Sequence, residues 1–251
     1  REIPEIYMDK RIEARYTPKE EYDRAGSRDA ILRELDSDIV IFMVQTAIPQ
    51  NRYLVEKLTE PFKEERTAVV YGRHMTDDEC SPPKGMTKSL EDTGKLGIRT
   101  FFNSNVCAAY RRSAYLETEG FGKRMIAGED MLAARRLLEK GWQTVYAPEA
   151  EILYYRNDNL RELWKRNFDI GVAHAEHPEM IENTKPGKEG MRLVRVTSAL
   201  LKQNHMEEYL GEVAARSAVR YLAYHFGKHY AHLPEHFVRK CSANKAYWEK
   251  E

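Results

Sequence analysis

The 251-residue chain predicts an α/β sandwich followed by a helical extension, and three features carry that prediction. Apolar runs of strand length alternate with segments of helical spacing between residues 36 and 155, an acidic Pro- and Gly-bearing stretch interrupts them once, and after Asp158 the texture is helical throughout.

Asp36-Ser37-Asp38 is turn chemistry, and the continuous apolar run Ile39-Val40-Ile41-Phe42-Met43-Val44 suits a strand covered on both faces. Asn51 is the expected N-cap of a helix carrying Leu54, Val55, Leu58 and Phe62, and Thr67-Ala68-Val69-Val70-Tyr71 is the next strand. Strand, helix and strand in this order predict a βαβ unit with parallel strands, whose ligands gather at the strands' carboxyl ends. Residues 72–100, with Asp77-Asp78-Glu79, Pro82-Pro83, Gly85, Gly94 and Gly97, predict a long functional loop. Order resumes at Thr100-Phe101-Phe102, and residues 105–110 predict a strand entering a helix near Arg112. Glu129 to Lys140 predicts a helix with Met131, Leu132, Leu137 and Leu138 apolar, ended by Gly141 in the left-handed position. Two short strands are expected at 144–146 and 151–155. Beyond them come three apolar stripes: Leu160, Leu163, Trp164, Phe168 and Val172; Leu193, Val196, Leu200 and Leu201; and Leu210, Val213, Ala214, Ala218, Tyr221, Leu222 and Phe226.

Forty Lys and Arg balance forty Asp and Glu. Phosphate contacts need a clear cationic excess, so this balance argues against a nucleic-acid binder. At 42% hydrophobic and 10% aromatic, the chain has enough apolar surface to offset chain entropy. Cys80, Cys107 and Cys241 are widely spaced and encode neither a disulfide framework nor a zinc ribbon. The longest apolar run is six residues, against roughly 20 needed to span a bilayer. Residues 1–5 carry no signal-peptide core, so a cytosolic protein, at most peripheral to the inner face of a membrane, is expected.

Gly128-Glu129-Asp130 sets two carboxylates at a helix start, where free amide hydrogens and the helix dipole favour negative charge. A structural cap and a catalytic carboxylate are both open readings of that motif. Its setting, in an α/β domain after the aromatic pair Phe101-Phe102, favours the second.

Four segments in order resemble the bacterial family 2 glycosyltransferases with rhamnosyltransferase members. They are residues 38–49, residues 101–112, Glu129-Asp130-Met131, and Arg166-Asn167-Phe168-Asp169-Ile170-Gly171-Val172, with the likeness running over roughly residues 19 to 180 and into 237–248. The resemblance implies a GT-A-type α/β/α sandwich over residues 1–157 that binds a nucleoside-diphosphate sugar, and a helical extension over 158–251. It implies a single inverting displacement onto a glycan or lipid-linked glycan, with Asp130 as general base and Glu129 orienting the acceptor or the helix turn. Arg28, in the segment 19–29, becomes a pyrophosphate or base contact, the alternative being an exposed arginine at a helix entry. Gln45, Thr46 and Ala47 fall to the donor, and Asn103, Asn105 and Trp164 to the acceptor.

The chain departs from the family where a metal would sit. Members end the strand with Gln-Asp-Ala, whose carboxylate reaches a divalent cation; here the residues are Gln45-Thr46-Ala47. Members often carry His-Ser-His after the strand at 151–155, where this chain has Tyr154-Tyr155-Arg156. Mg²⁺ and Mn²⁺ favour carboxylate oxygens, so the expected ligands are absent and no metal residue is assigned. Either Arg156 neutralises the leaving diphosphate with its guanidinium fork, or the protein is a catalytically degraded homologue that binds sugar nucleotides or carbohydrate. The strand with which members open is represented only by residues 3–8, so part of the nucleotide pocket is expected to be missing.

Residues 213–245 hold Arg216, Arg220, Lys228, Arg239, Lys240 and Lys245 against Glu235 alone, interleaved with aromatics. A solvated basic face on packed helices is expected, with contact to an anionic membrane as the second reading. His205, His229, His232 and His236 are expected at the surface.

Overall fold

A computed structural model describes residues 9–18, 22–75, 103–154, 158–182 and 186–249. The interrupting loop beyond Met75, Phe101-Phe102, Cys80, Arg156 and the opening strand at 3–8 lie outside these residues.

Among the described residues five strands form one sheet: β1 (Ile39–Met43), β2 (Ala47–Pro49), β3 (Thr67–Met75), β4 (Cys107–Arg111) and β5 (Gln143–Tyr154). Their spatial order is β1-β4-β3-β5-β2. The expected parallel pairing of β1 with β3 is corrected. Both strands run the same way, but β4 lies antiparallel between them, with Val40 opposite Tyr110 and Val69 opposite Tyr110 on the other side. Among the described strands only β3 and β5 are parallel neighbours. Central β4 accepts partners on both edges because Cys107, Ala108, Ala109 and Tyr110 are all fully buried.

The two short strands expected near 144 and 151 are one strand. Its register on β3 jumps from Gly72 opposite Ala147 to Arg73 opposite Glu151, so the segment with Pro148 bulges out and pairing resumes. A side chain at Gly72 would collide with the Ala150 carbonyl, so the bulge needs that glycine.

Helices cover both faces of the sheet. On one lie α1 (Arg24–Glu34), α3 (Arg112–Leu116) and α4 (Glu129–Glu139), with Leu32, Tyr115, Leu132 and Leu137 packed on Val40, Val69, Ala108 and Tyr110. On the other lies α2 (Leu54–Thr59), with Leu54, Leu58 and Phe62 packed on Val70, Cys107, Ala109 and Ile152. Alternate residues of β3 and β4 thus feed two cores, as the period of a strand requires. Asn51 does not cap α2: its side chain accepts from Tyr53 N at 2.9 Å, closing the turn before the helix, and Tyr53 occupies the N-cap.

The extension comprises α5 (Leu160–Glu176), α6 (Pro186–Gln203), α7 (Leu210–Lys228) and α8 (Glu235–Cys241). Asn159 opens α5 with a reciprocal capping box to Glu162. The stripe expected to bury α7 is corrected: Val213, Arg216, Ala223 and Gly227 face inward, while Tyr221 and Leu222 are 60% and 48% exposed. The reason is the crossing of α5 and α7, where a Cβ at Gly227 would fall on the Phe168 carbonyl and one at Gly171 would come within 2.8 Å of Lys228 N. Helices this close leave no room for large residues between them. Arg216, expected on a solvated face, is buried and donates to the Asp158 carbonyl at 3.1 Å. His205, His229, His232 and His236 are exposed as expected.

Candidate functional site

The carboxyl ends of β1, β3 and β5 point to one edge of the sheet, and α4 begins there. Gly128 is its N-cap at φ 76°, and an added Cβ would meet Met180 Cε at 2.6 Å. Glycine therefore suits both the left-handed backbone and the close approach.

Glu129 and Asp130, adjacent in sequence, have different surroundings. Glu129 is buried and accepts from Arg28 Nη1 at 2.5 Å, with Arg24 at 4.0 Å. Arg28 in turn lies over the Phe42 ring, 5.9 Å from its centroid. Of the two readings of Arg28, an exposed entry residue is overturned: its side chain is 17% exposed and committed to Glu129, joining α1 to α4.

Asp130 is half-buried. Its Oδ2 accepts from Asn105 N and its Oδ1 from Met131 N, both at 3.0 Å. Burial and the Glu129 charge push its carboxyl from 3.8 up to about 6, against the pull of the two amides and Arg28. It is thus ionised at neutral pH yet more basic than an ordinary aspartate, as a proton acceptor needs to be.

Behind Asp130 is a buried polar cluster. Asn103 Nδ2 donates to the Tyr110 hydroxyl, which donates to Asn105 Oδ1 at 2.6 Å. Burial and the Asp130 charge push the Tyr110 phenol well above its usual value, so it stays neutral. Asn103 and Asn105 are each only 2% exposed; they lie beneath the Asp130 carboxylate and present no open amide to solvent. Asn103 Oδ1 and Asn105 Nδ2 have no partner among the described residues. Tyr110 was not singled out by the sequence, although one hydroxyl in the buried run Cys107–Tyr110, just after two asparagines, is a usable signal.

Gln45 and Thr46 form the exposed turn between β1 and β2, and Ala47 N donates to the Val44 carbonyl at 2.9 Å. Val44 N donates to the Val106 carbonyl at 3.0 Å, which ties this turn to the one holding Asp130. An amide and a hydroxyl bring no negative charge to a hard divalent cation, which favours carboxylate oxygens, and no cluster of three His, Cys, Asp or Glu able to hold a metal exists among the described residues. At the neighbouring strand ends, the His74 ring meets Tyr154 at 5.8 Å. Trp164 lies in the extension, 5.7 Å from Phe226, bordering a cluster that includes Ile126 and Ala127 just before α4. No helix among the described residues is long and apolar enough to cross a membrane.

No family model matches the chain. It is 32% identical over 241 residues to the O-antigen chain rhamnosyltransferase RfbN of Salmonella typhimurium strain LT2, covering 91% of this chain and 76% of that protein. The O-antigen chain rhamnosyltransferase WbaN of Salmonella anatum matches with the same identity and coverage. Among solved structures, the mannosyltransferase PcManGT of Pyrobaculum calidifontis, in complex with GDP-Man and Mn²⁺, aligns at a TM-score of 0.47 and 14% identity, over 90% of this chain and 64% of that one.

Proposed function

We infer the function of this chain from its family: it belongs to the rhamnosyltransferase-like glycosyltransferases, with the O-antigen rhamnosyltransferases of Salmonella among its relatives. The reaction proposed is transfer of a sugar, rhamnose being the first candidate, from a nucleoside-diphosphate sugar to a glycan or lipid-linked glycan. Asp130 takes the proton of the acceptor hydroxyl as its oxygen attacks the anomeric carbon. The bond from that carbon to the diphosphate breaks on the opposite face, the nucleoside diphosphate leaves, and the configuration inverts. The observation that carries this reading is the Asp130 carboxylate at the carboxyl edge of the sheet, half-open to solvent and held by two backbone amides.

Glu129 orients the helix turn through Arg28. Gln45, Thr46 and Ala47 are assigned to the donor, and Arg156 to the charge of the departing diphosphate. Asn103 and Asn105 serve the acceptor indirectly, through Asp130, and Trp164 borders its path. The outward Tyr221, Leu222 and Phe226 of α7 are assigned to peripheral contact with a membrane that carries the acceptor.

A second reading, a homologue that binds sugar nucleotides or carbohydrate without turnover, is favoured by Thr46 standing where the family places a carboxylate. A panel of nucleotide sugars, with and without Mn²⁺, on wild type and Asp130→Asn decides between them. Turnover by wild type alone supports the transferase; stabilisation by a donor with no turnover supports the binding module. Activity that survives excess EDTA and is lost in Arg156→Ala supports the guanidinium role, and an absolute metal requirement removes it.

A further inference from the structure

We propose that Tyr110 is a positioning residue for Asp130, its hydroxyl clamping the Asn103–Asn105 segment so that the Asn105 amide points at the carboxylate. The inference rests on the reading of Asp130 as base and adds what holds that base in place.

Tyr110 is the most confined polar side chain near the site. It lies in central β4, fully buried, with the rings of Phe42, Tyr115 and Phe121 edge-on to it at 5.3–6.0 Å. Burying a phenol among aromatic rings is unfavourable unless its hydroxyl is satisfied, and among the described residues this one is satisfied by the two asparagines. Asn103 and Asn105 therefore cannot move apart without stranding it. Only Ser104 separates them, and the Asn105 N–H donates to Asp130 Oδ2 at 3.0 Å. The hydroxyl thus reaches the carboxylate through one side-chain bond and one backbone bond, without touching substrate. Geometry set in this way matters because a displacement of about 1 Å at a reacting group costs about 100-fold in rate.

The charged and titratable groups facing Asp130 are Glu129 on its own helix, Arg28 from α1 and the Tyr110 phenol from β4, with Arg24 near Glu129. None is altered in charge by Tyr110→Phe, which removes one oxygen and keeps the ring. Loss of the clamp loosens the Asn105 amide, and an amide that no longer favours the carboxylate lets its pKa rise.

The test follows Asp130 directly, through the pH titration of its carboxyl carbon resonance in wild type, Tyr110→Phe and Asn105→Ala. Both variants are expected to move the midpoint upward by about half a unit to one unit. In turnover with a donor that the wild type accepts, kcat is expected to fall about 10- to 100-fold at little change in donor KM, with the acidic limb displaced in the same direction. Tyr115→Phe removes another buried phenol, one bonded to Asp29 and Phe121 N, and is expected to leave the Asp130 midpoint in place. An unmoved midpoint in folded Tyr110→Phe overturns the proposal; if that variant does not fold, an unmoved midpoint in Asn105→Ala does so. Should Asp130→Asn keep full turnover while the two variants shift the Asp130 titration, the general-base reading falls and the clamp stands.

Discussion

Replacing Asp130 with asparagine is expected to make the protein more stable while abolishing transfer. With its pKa raised from 3.8 to about 6, holding Asp130 ionised costs the fold about 3 kcal/mol at neutral pH. Asparagine removes that cost but offers one acceptor oxygen where the carboxylate offers two, so either Asn105 N or Met131 N loses its partner, a loss of about 1 kcal/mol. The net gain is about 2 kcal/mol, equivalent to a rise in Tm of about 4–8 °C for a chain of this size. A pKa raised by folding means that the protonated form contributes the stability: the contribution is complete below about pH 4 and is lost as pH rises through 6. The advantage of the variant should therefore be full at pH 7.5 and disappear at acid pH, where the wild-type carboxyl is neutral. Thermal denaturation of both proteins between pH 4 and 8 measures it. A variant less stable than wild type at pH 7.5, or a gain that does not vary with pH, would refute the reasoning.

Arg28→Ala leaves Glu129 buried without its closest partner and should cost about 3–5 kcal/mol in denaturant unfolding; a loss below about 1 kcal/mol would contradict the pairing. Because Arg28 also lowers the Asp130 pKa, the same variant should move the acidic limb of turnover to higher pH. At the crossing of α5 and α7, Gly171→Ala would drive a methyl group into the Tyr224 carbonyl, and a loss of about 1–3 kcal/mol or more is expected in urea unfolding. His174, whose Nδ1 lies 3.2 Å from the Tyr224 hydroxyl, is pushed by burial from 6.5 down to about 4. Its neutral form supports the fold above about pH 6.5, and that support is lost as pH falls through 4. A ring titration by NMR with a midpoint above 6 would disprove this.

Local structure was legible where one segment held its own signals. The run at 39–43 is a strand, and 129–139 is a helix bounded by Gly128 and Gly141, both at positive φ. Strand order is not legible, because insertion of β4 between β1 and β3 depends on pairings across 64 to 72 positions of chain, from Met43 with Cys107 to Ile39 with Arg111. The inward face of α7 is hidden from the sequence for a related reason: helical periodicity favours its large residues, whereas Gly171 on another helix selects the small ones. At the site, Asp130 stood out by its position at a helix start. The roles of Arg28 and Tyr110 did not, since an ion pair to a residue 101 positions away and a hydroxyl inside an aromatic core leave no periodic trace.

The loop that delivers Gly128 and Asp130 is moored far along the chain. Arg124 N donates to Asp23, and the Arg124 guanidinium donates to the Glu249 carbonyl. Asp169 receives the amides of Ala243 and Asn244, which turn that distant segment back toward the loop. During synthesis, Asp130 leaves the ribosome about 120 residues ahead of Glu249, an interval of about 6–24 s at ordinary elongation rates. For that interval a nascent chain carries Glu129 and Asp130 but lacks the contact of their loop with Glu249, so the setting of that loop depends on the helical extension as well as on the sheet.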